Sequence, residues 1–258
     1  LMQMRDEFLS VCCFDLQMAE AIPGGFLLVF ARPERKTLQL PELWKTRSLI
    51  NYDMGNTNIL IGLDEETGES FYHDIAVDEP HLLIGGSTGS GKSVFLNSLI
   101  LDLMLTNTPE TLQLILADPK IVEFTLFSSS PFLKNNPILQ EIPELANDPV
   151  IQSHEIATNV LKRLIVEMDE RYKSFKAEKV QKLSDFNKSV SPDERLPRIV
   201  FIMDEFADWM EIKEFKTESD SLFKRLGCKG RAAGIHLILC TQRPSCDVVS
   251  PTLRANLG

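Results

Sequence analysis

Short, almost unbroken apolar runs recur along the chain at Leu82 to Gly85, Leu112 to Ala117, Ile199 to Met203 and Ile235 to Cys240. Runs this short and uniform are expected of strands covered on both faces. Their alternation with helical segments predicts an α/β fold with a mostly parallel sheet and helices on both sides. One helix is legible by period: Ile156, Val160, Leu164, Met168, Tyr172 and Phe175 recur at three- or four-residue steps and form one apolar stripe. Its other face is charged. Lys173, Lys176, Lys179 and Lys182 are interleaved with Glu170, Glu178 and Asp185, which reads as a solvated surface rather than a basic patch.

The N-terminal stretch has a different rhythm. Phe8 to Phe14 and Phe26 to Phe30 are apolar, and Pro23-Gly24-Gly25 and Arg32-Pro33-Glu34-Arg35-Lys36 punctuate them like turns. This pattern predicts the end of a small, incomplete α/β domain over residues 1–50, ahead of a larger domain over residues 51–258. Within the latter, Ile59 to Leu63, the turn Glu65 to Glu69 and Phe71 to Ile75 predict a hairpin. Residues 128–153 carry Pro131, Pro137, Pro143 and Pro149 with several Asn and Ser, and read as an irregular surface excursion with no assignable chemistry.

Composition narrows the class. A chain of 258 residues with 43% hydrophobic content can bury one large core. No apolar run approaches the roughly 20 residues a bilayer needs, and the start has no signal-peptide layout. The expectation is a cytoplasmic protein, with any membrane association supplied by segments outside this chain. The cysteines, Cys12, Cys13, Cys228, Cys240 and Cys246, form no C-x-x-C pair, and the histidines have no metal-ligand spacing with them, so buried thiols in a reducing compartment are expected. A net charge of -10 excludes a protein that coats nucleic acid with its outer surface; any such contact must be confined to one small region.

Chemistry concentrates where strands end. Gly86, Ser87, Thr88, Gly89, Ser90, Gly91, Lys92 and Ser93 spell G-x-x-x-x-G-K-S between a strand and a helix. In such a loop backbone N–H groups converge on phosphate oxygens, Lys92 reaches the β- and γ-phosphates, and Ser93 ligates Mg²⁺. Arg198 to Met203 delivers Asp204 and Glu205 to the carboxyl end of another strand. There Asp204 is expected to hold Mg²⁺ and Glu205 to polarise the attacking water, which means hydrolysis rather than binding alone. Gln242, after the strand Ile235 to Cys240, fits both a sensor of the γ-phosphate and an ordinary strand-ending polar residue. Asp118-Pro119-Lys120 also ends a strand, where Lys120 can pair with an acid or the nucleotide, or merely follow a Pro-stopped strand. The helix through Lys224 and Arg225 is expected to end at Gly234 as its cap. Arg231, beside small alanines near that end, suits an arginine offered to the nucleotide of an adjacent subunit.

Taken together and in this order, His81 to Ser93, Asp118-Pro-Lys, Asp204-Glu-Phe-Ala-Asp208, Arg231-Ala-Ala-Gly-Ile-His236 and Thr241-Gln-Arg-Pro-Ser245 resemble the motor domain of the FtsK/SpoIIIE double-stranded DNA translocases, over roughly residues 20–258. The resemblance implies a RecA-like P-loop NTPase fold working as a hexameric ring, with duplex DNA in the centre and ATP and Mg²⁺ between subunits. By the same resemblance Arg231 is the trans arginine finger, Gln242 the sensor, and Arg243 and Arg254 line the DNA channel. Acidic outer surfaces are compatible with such a ring, since only its bore needs positive potential. Some features depart from the family. The chain ends at Gly258, before the strand and basic loop the family would next provide, so a C-terminally incomplete core is expected. Residues 134–150 look like an insertion, and no winged-helix reader of orienting sequences is visible. Two other readings stay open: a secretion-system ATPase of the same superfamily acting on protein substrates, and a nucleotide-gated assembly module with little turnover.

Overall fold

The chain divides into two compact units, Leu1–Lys45 and Thr46–Gly258. The structure, a computed structural model, describes residues 15–22, 25–31, 39–45, 47, 55–64 and 67–242. In the first unit Asp15–Ile22 (β1) and Gly25–Ala31 (β2) pair antiparallel, with a register shift between Leu16 and Met18, and a short helix follows at Leu40–Lys45. The apolar run Phe8 to Phe14, Pro23, Gly24 and the basic turn of residues 32–36 lie outside the described residues.

The second unit begins with the expected hairpin, Asn58–Leu63 (β3) against Ser70–Asp74 (β4). It is fastened to the helix Lys92–Leu105 through polar groups. The Leu60 N–H donates to the carboxylate of Asp102 at 3.1 Å, and the Asn56 N–H donates to Asn107 Oδ1 at 2.7 Å. Asp102 is fully buried and also receives the Arg47 guanidinium, so its charge is compensated where water cannot reach it.

Leu82–Gly85 (β5), Leu112–Ala117 (β6), Arg198–Met203 (β7) and Ile235–Thr241 (β8) form one parallel sheet in the order β5-β8-β7-β6. All of β6 and β8 is buried, as is β7 after Arg198, which is why these strands read as uniform apolar runs. The connection from β5 to β6 runs across the sheet one way, and those from β6 to β7 and from β7 to β8 run back. With right-handed crossovers, helix Lys92–Leu105 covers one face while His154–Ala177 and Lys213–Ala233 cover the other. The latter two pack on each other, Val160, Leu164, Met168 and Phe175 of the stripe read from the sequence are buried, and Lys173, Lys176, Lys179 and Lys182 are exposed.

Buried polar groups tie these layers at the edge where strands begin. Arg171, 2% exposed, donates to the carbonyls of Pro197 at 2.7 Å and Ala233 at 2.9 Å, joining the entry of β7 to the end of helix Lys213–Ala233. That helix stops at Gly234, whose φ of 71° is costly for any side-chain-bearing residue; a Cβ there would stand 2.2 Å from Leu183 Cδ2.

Residues 128–153 are not a surface excursion. Pro131, Pro137 and Pro143 each open a short helical turn rather than break one, and the side chains of Ser130 and Asn136 cap the first two. Phe132, Leu133, Ile138, Leu139, Ile142, Leu145, Val150 and Ile151 are buried, each contributing about 1.5–3 kcal/mol of apolar burial. Ile151 bridges Ala117 and so extends the sheet beyond β6. Turns of three or four residues are too short to show a helical period, which is why the prolines dominated the reading. The expectation of buried thiols needs correction as well. Cys240 is buried and its thiol is pushed well up by burial, but Cys228, on a helix face turned to solvent, is exposed; Cys12, Cys13 and Cys246 lie outside the described residues. No helix among the described residues is long and apolar enough to cross a membrane.

His81 and His236 are fully buried. The Leu237 N–H donates to His81 Nδ1 at 3.0 Å, and His236 Nδ1 donates to the Pro80 carbonyl at 3.0 Å. Burial pushes the His81 pKa down to about 4 and lowers that of His236 as well. The unfolded chain therefore binds more protons than the folded one below pH about 6.5, so this stability is complete above that pH and is lost as pH falls toward 4. For His81 the full loss is on the order of 3 kcal/mol. Urea unfolding at pH 7 and pH 5 is expected to show lower stability at pH 5, with a smaller pH difference in His81→Gln. An equal difference in both proteins would contradict the buried neutral imidazole.

Candidate active site

Every strand of the parallel sheet delivers a chemically capable residue to the same edge. The hydrogen-bond ladder continues to the point of departure: the Gly86 N–H donates to the Thr241 carbonyl at 3.1 Å and the Asp204 N–H to that of Ala117 at 2.9 Å. Because β8 lies between β5 and β7, Gln242 stands between the glycine-rich loop and the Asp204-Glu205 pair. The loop turns into helix Lys92–Leu105 at Gly91, whose φ of 94° excludes an unstrained side chain and leaves the first helical N–H groups facing the cleft. The cleft has a volume of about 450 Å³ and is lined by the loop, Lys120, Glu123, Asp204, Glu205 and Gln242.

At its floor Lys92 Nζ is bonded to Asp204 and lies 3.0 Å from Glu205 Oε1. Gln242 Nε2 donates to that same Glu205 oxygen at 2.6 Å, and Gln242 Oε1 accepts from the Thr88 hydroxyl at 2.9 Å. The Ser93 hydroxyl donates to Glu123 Oε1 at 2.7 Å. Lys120 Nζ stands 3.1 Å from Asp208 and 3.6 Å from Glu205, so it pairs with acids while lining the cleft. Glu205 sits at φ 47°, in the left-handed region, at the turn from β7 into helix Phe206–Glu211. Such a conformation costs about 1–3 kcal/mol and persists only where the surroundings impose it. Here the Trp209 Nε1–H bond to the Asp204 carbonyl, at 2.9 Å, and the Asp208 N–H bond to that of Glu205, at 2.8 Å, hold the turn.

The electrostatics follow from burial and pairing. Lys92, Asp204 and Glu205 are all buried. Burial opposes charge on Lys92, but hydrogen bonds and attraction from Asp204 and Glu205 outweigh it and hold its pKa above the ordinary value. For Asp204 burial prevails over the Lys92 interaction and raises the carboxyl. Burial also opposes charge on Glu205, yet the bonds from Gln242 and Lys92 and the charges of Lys92 and Lys120 keep it below the usual carboxylate range. The glutamate is therefore held as an anion.

Of the residues singled out in the sequence, Thr88, Lys92, Ser93, Asp204, Glu205 and Gln242 meet around one cleft. Arg231 does not. It lies in the last turn of helix Lys213–Ala233, where β8 begins, with Nη2 donating to the Val77 carbonyl. The seven residues of β8 separate that edge from the cleft by roughly 20 Å. Arg243 and Arg254 lie outside the described residues. Glu123 went unnoticed in the sequence; the available signal was an acid in the loop after β6, at the edge where the other strands place theirs. Ser93, Asp204 and Glu205 are hard oxygen donors, which fits Mg²⁺, an ion usually held by one or two carboxylates together with phosphate oxygens and waters. Among the described residues no group of three or more His, Cys, Asp or Glu side chains forms a metal cage on its own.

The FtsK/SpoIIIE family model matches residues 46–246. The DNA translocase FtsK of Campylobacter jejuni subsp. jejuni serotype O:2 is 34% identical over 262 residues, covering 100% of this chain and 26% of that protein. The protein of the same name from Pseudomonas aeruginosa PAO1 is 33% identical over 278 residues, covering 98% of this chain and 32% of its own length. The chain thus spans about a quarter to a third of these relatives. Among solved structures, the pCW3 conjugation coupling protein TcpA, in a monomer form with ATPgS, superposes with TM-score 0.66 at 20% identity over 99% of this chain and 67% of its own, a likeness of fold. The cytoplasmic domain of the type VII secretion ATPase EccC of Thermomonospora curvata superposes with TM-score 0.56 at 27% identity, over 86% of this chain and 25% of its own.

Proposed function

The chain belongs to the FtsK/SpoIIIE family, and from that premise we propose that it is the ATP-hydrolysing motor of a double-stranded DNA translocase. The observation that carries this reading is the meeting of Lys92 and Glu205, joined by Gln242, beneath a glycine-rich helix N-terminus. Relatives called DNA translocases, about a third identical over nearly the whole chain, supply the substrate.

The triphosphate binds against the N–H groups of residues 86–93, where it competes with Asp204 and Glu205 for Lys92. Drawing the ammonium toward phosphate frees both carboxylates. Ser93 and Asp204 would hold a bound Mg²⁺, whose role is to neutralise charge on the transferring phosphoryl group. Glu205, already ionised, accepts the proton of the attacking water. Gln242 touches Glu205 on one side and the Thr88 hydroxyl of the loop on the other, so any shift of either reaches β8 and the segment beyond it. Arg243 and Arg254 follow in that segment and are proposed to contact the DNA backbone, moving with each turnover.

Arg231 acts in trans in this account. Its edge of the sheet is the one a neighbouring copy would present if copies pack edge to edge into a ring, a hexamer by family resemblance. An arginine so supplied contributes about 10³–10⁵ in rate. The net charge of -10 is compatible with DNA contact confined to the bore of a ring. Contacts of that kind position a duplex without reading its bases. The motor is assigned to the cytoplasm, with any membrane tether supplied by the rest of the protein.

ATP hydrolysis by the full-length protein is expected to rise several-fold on adding duplex DNA, and to lose that stimulation as salt rises. A rate indifferent to DNA at every salt concentration removes the DNA part of the proposal and favours a protein substrate. In Arg231→Ala, hydrolysis is expected to fall by about 10³ or more while nucleotide affinity stays within a few-fold. Mixing it with a Lys92→Ala protein that keeps Arg231 is expected to restore part of the activity. Absence of any recovery would place the role of Arg231 within its own subunit.

A further inference from the structure

The bond between Ser93 and Glu123 has a consequence beyond the hydrolytic roles already described. A hydroxyl carries one proton and two lone pairs. To ligate a cation Ser93 must turn a lone pair toward it, and its proton must be given elsewhere. Glu123 Oε1 takes that proton at 2.7 Å. Asp204 and Glu205, the other acids near the phosphate loop, are engaged by Lys92 instead.

The position of Glu123 is built from below. Asp118, at the end of β6, is fully buried. Its Oδ1 accepts the Lys120 N–H at 2.9 Å, and its Oδ2 accepts the Val122 and Glu123 N–H groups, each at 2.8 Å. Phe124, fully buried, anchors the chain immediately after. Between these fixed points Ile121 is forced to φ 58°, a left-handed conformation that a β-branched residue adopts only under constraint, and its side chain is exposed.

We propose that Glu123 is a positioning residue that orients the Ser93 hydroxyl so that its lone pair faces a bound Mg²⁺. The proposal rests on the cleft being the Mg²⁺-nucleotide site. Glu123 touches neither reacting atom; it acts through Ser93. Partners that orient metal ligands typically contribute 10–100-fold to metal affinity. The effect should therefore appear in how strongly Mg²⁺ tightens nucleotide binding rather than in nucleotide binding as such.

The test is equilibrium binding of a fluorescent ATP analogue to the full-length protein, in excess Mg²⁺ and in EDTA. Glu123→Ala is expected to lose about 10–100-fold of the Mg²⁺-dependent tightening without weakening binding in EDTA. Glu123→Gln, whose amide oxygen still accepts the Ser93 proton, is expected to retain more of it than Glu123→Ala. Ser93→Ala is expected to show the same loss, and the double variant with Glu123→Ala to add little further. Mg²⁺ tightening equal to wild type in Glu123→Ala, or an equal loss in Mg²⁺ and EDTA, overturns the proposal while leaving the nucleotide site intact. Failure of the wild-type protein to bind the analogue in either condition overturns both.

Discussion

The buried pairing of Lys92 with Asp204 and Glu205 is the constraint on which the rest of the site depends. One cation faces two acids where water is largely excluded, and removing Lys92 would leave two uncompensated charges there. A fold does not need such a cluster for stability, because well-packed apolar residues would serve as well. Its sense is chemical. The ammonium is held within reach of the place where phosphate oxygens are expected, and in the proposed mechanism its departure frees the two carboxylates.

Strand order brings these groups together. Lys92 follows β5, Asp204 and Glu205 follow β7, and β8 runs between them with Gln242 at its end. A side chain at the end of the intervening strand can touch both neighbours, and Gln242 does so through Thr88 and Glu205. The opposite edge is organised differently: Arg171 and the buried His81 and His236 lock the places where strands begin, and Arg231 stands among them in the open. One edge gathers the glycine-rich loop, a lysine and two acids, and the other offers a cation outward.

The parallel sheet was legible because strands buried on both faces admit few polar residues, so their limits in the sequence and in the structure nearly coincide. The long helix was legible through its stripe from Ile156 to Phe175. Lys92, Ser93, Asp204 and Glu205 could be read because each follows an apolar run whose end defines the sheet edge. Residues 128–153 misled because proline at the first position of a helical turn looks, in sequence, like proline in a loop. Glu123 could not be placed because its position depends on Asp118 gathering three backbone N–H groups and on the positive φ of Ile121, neither of which has a periodic signature. Arg231 was seen as a candidate, but its distance from the cleft of its own chain emerges only once β8 is in place.

The central claim is that Glu205, held as an anion beside Lys92, readies water for attack on a nucleotide bound above it. The most direct measurement compares nucleotide affinity and hydrolysis rate in wild type and Glu205→Gln, a change that keeps size and hydrogen-bonding capacity while removing the base. The account predicts affinity within a few-fold and turnover lower by about 10²–10⁴. Turnover within a few-fold of wild type would contradict it.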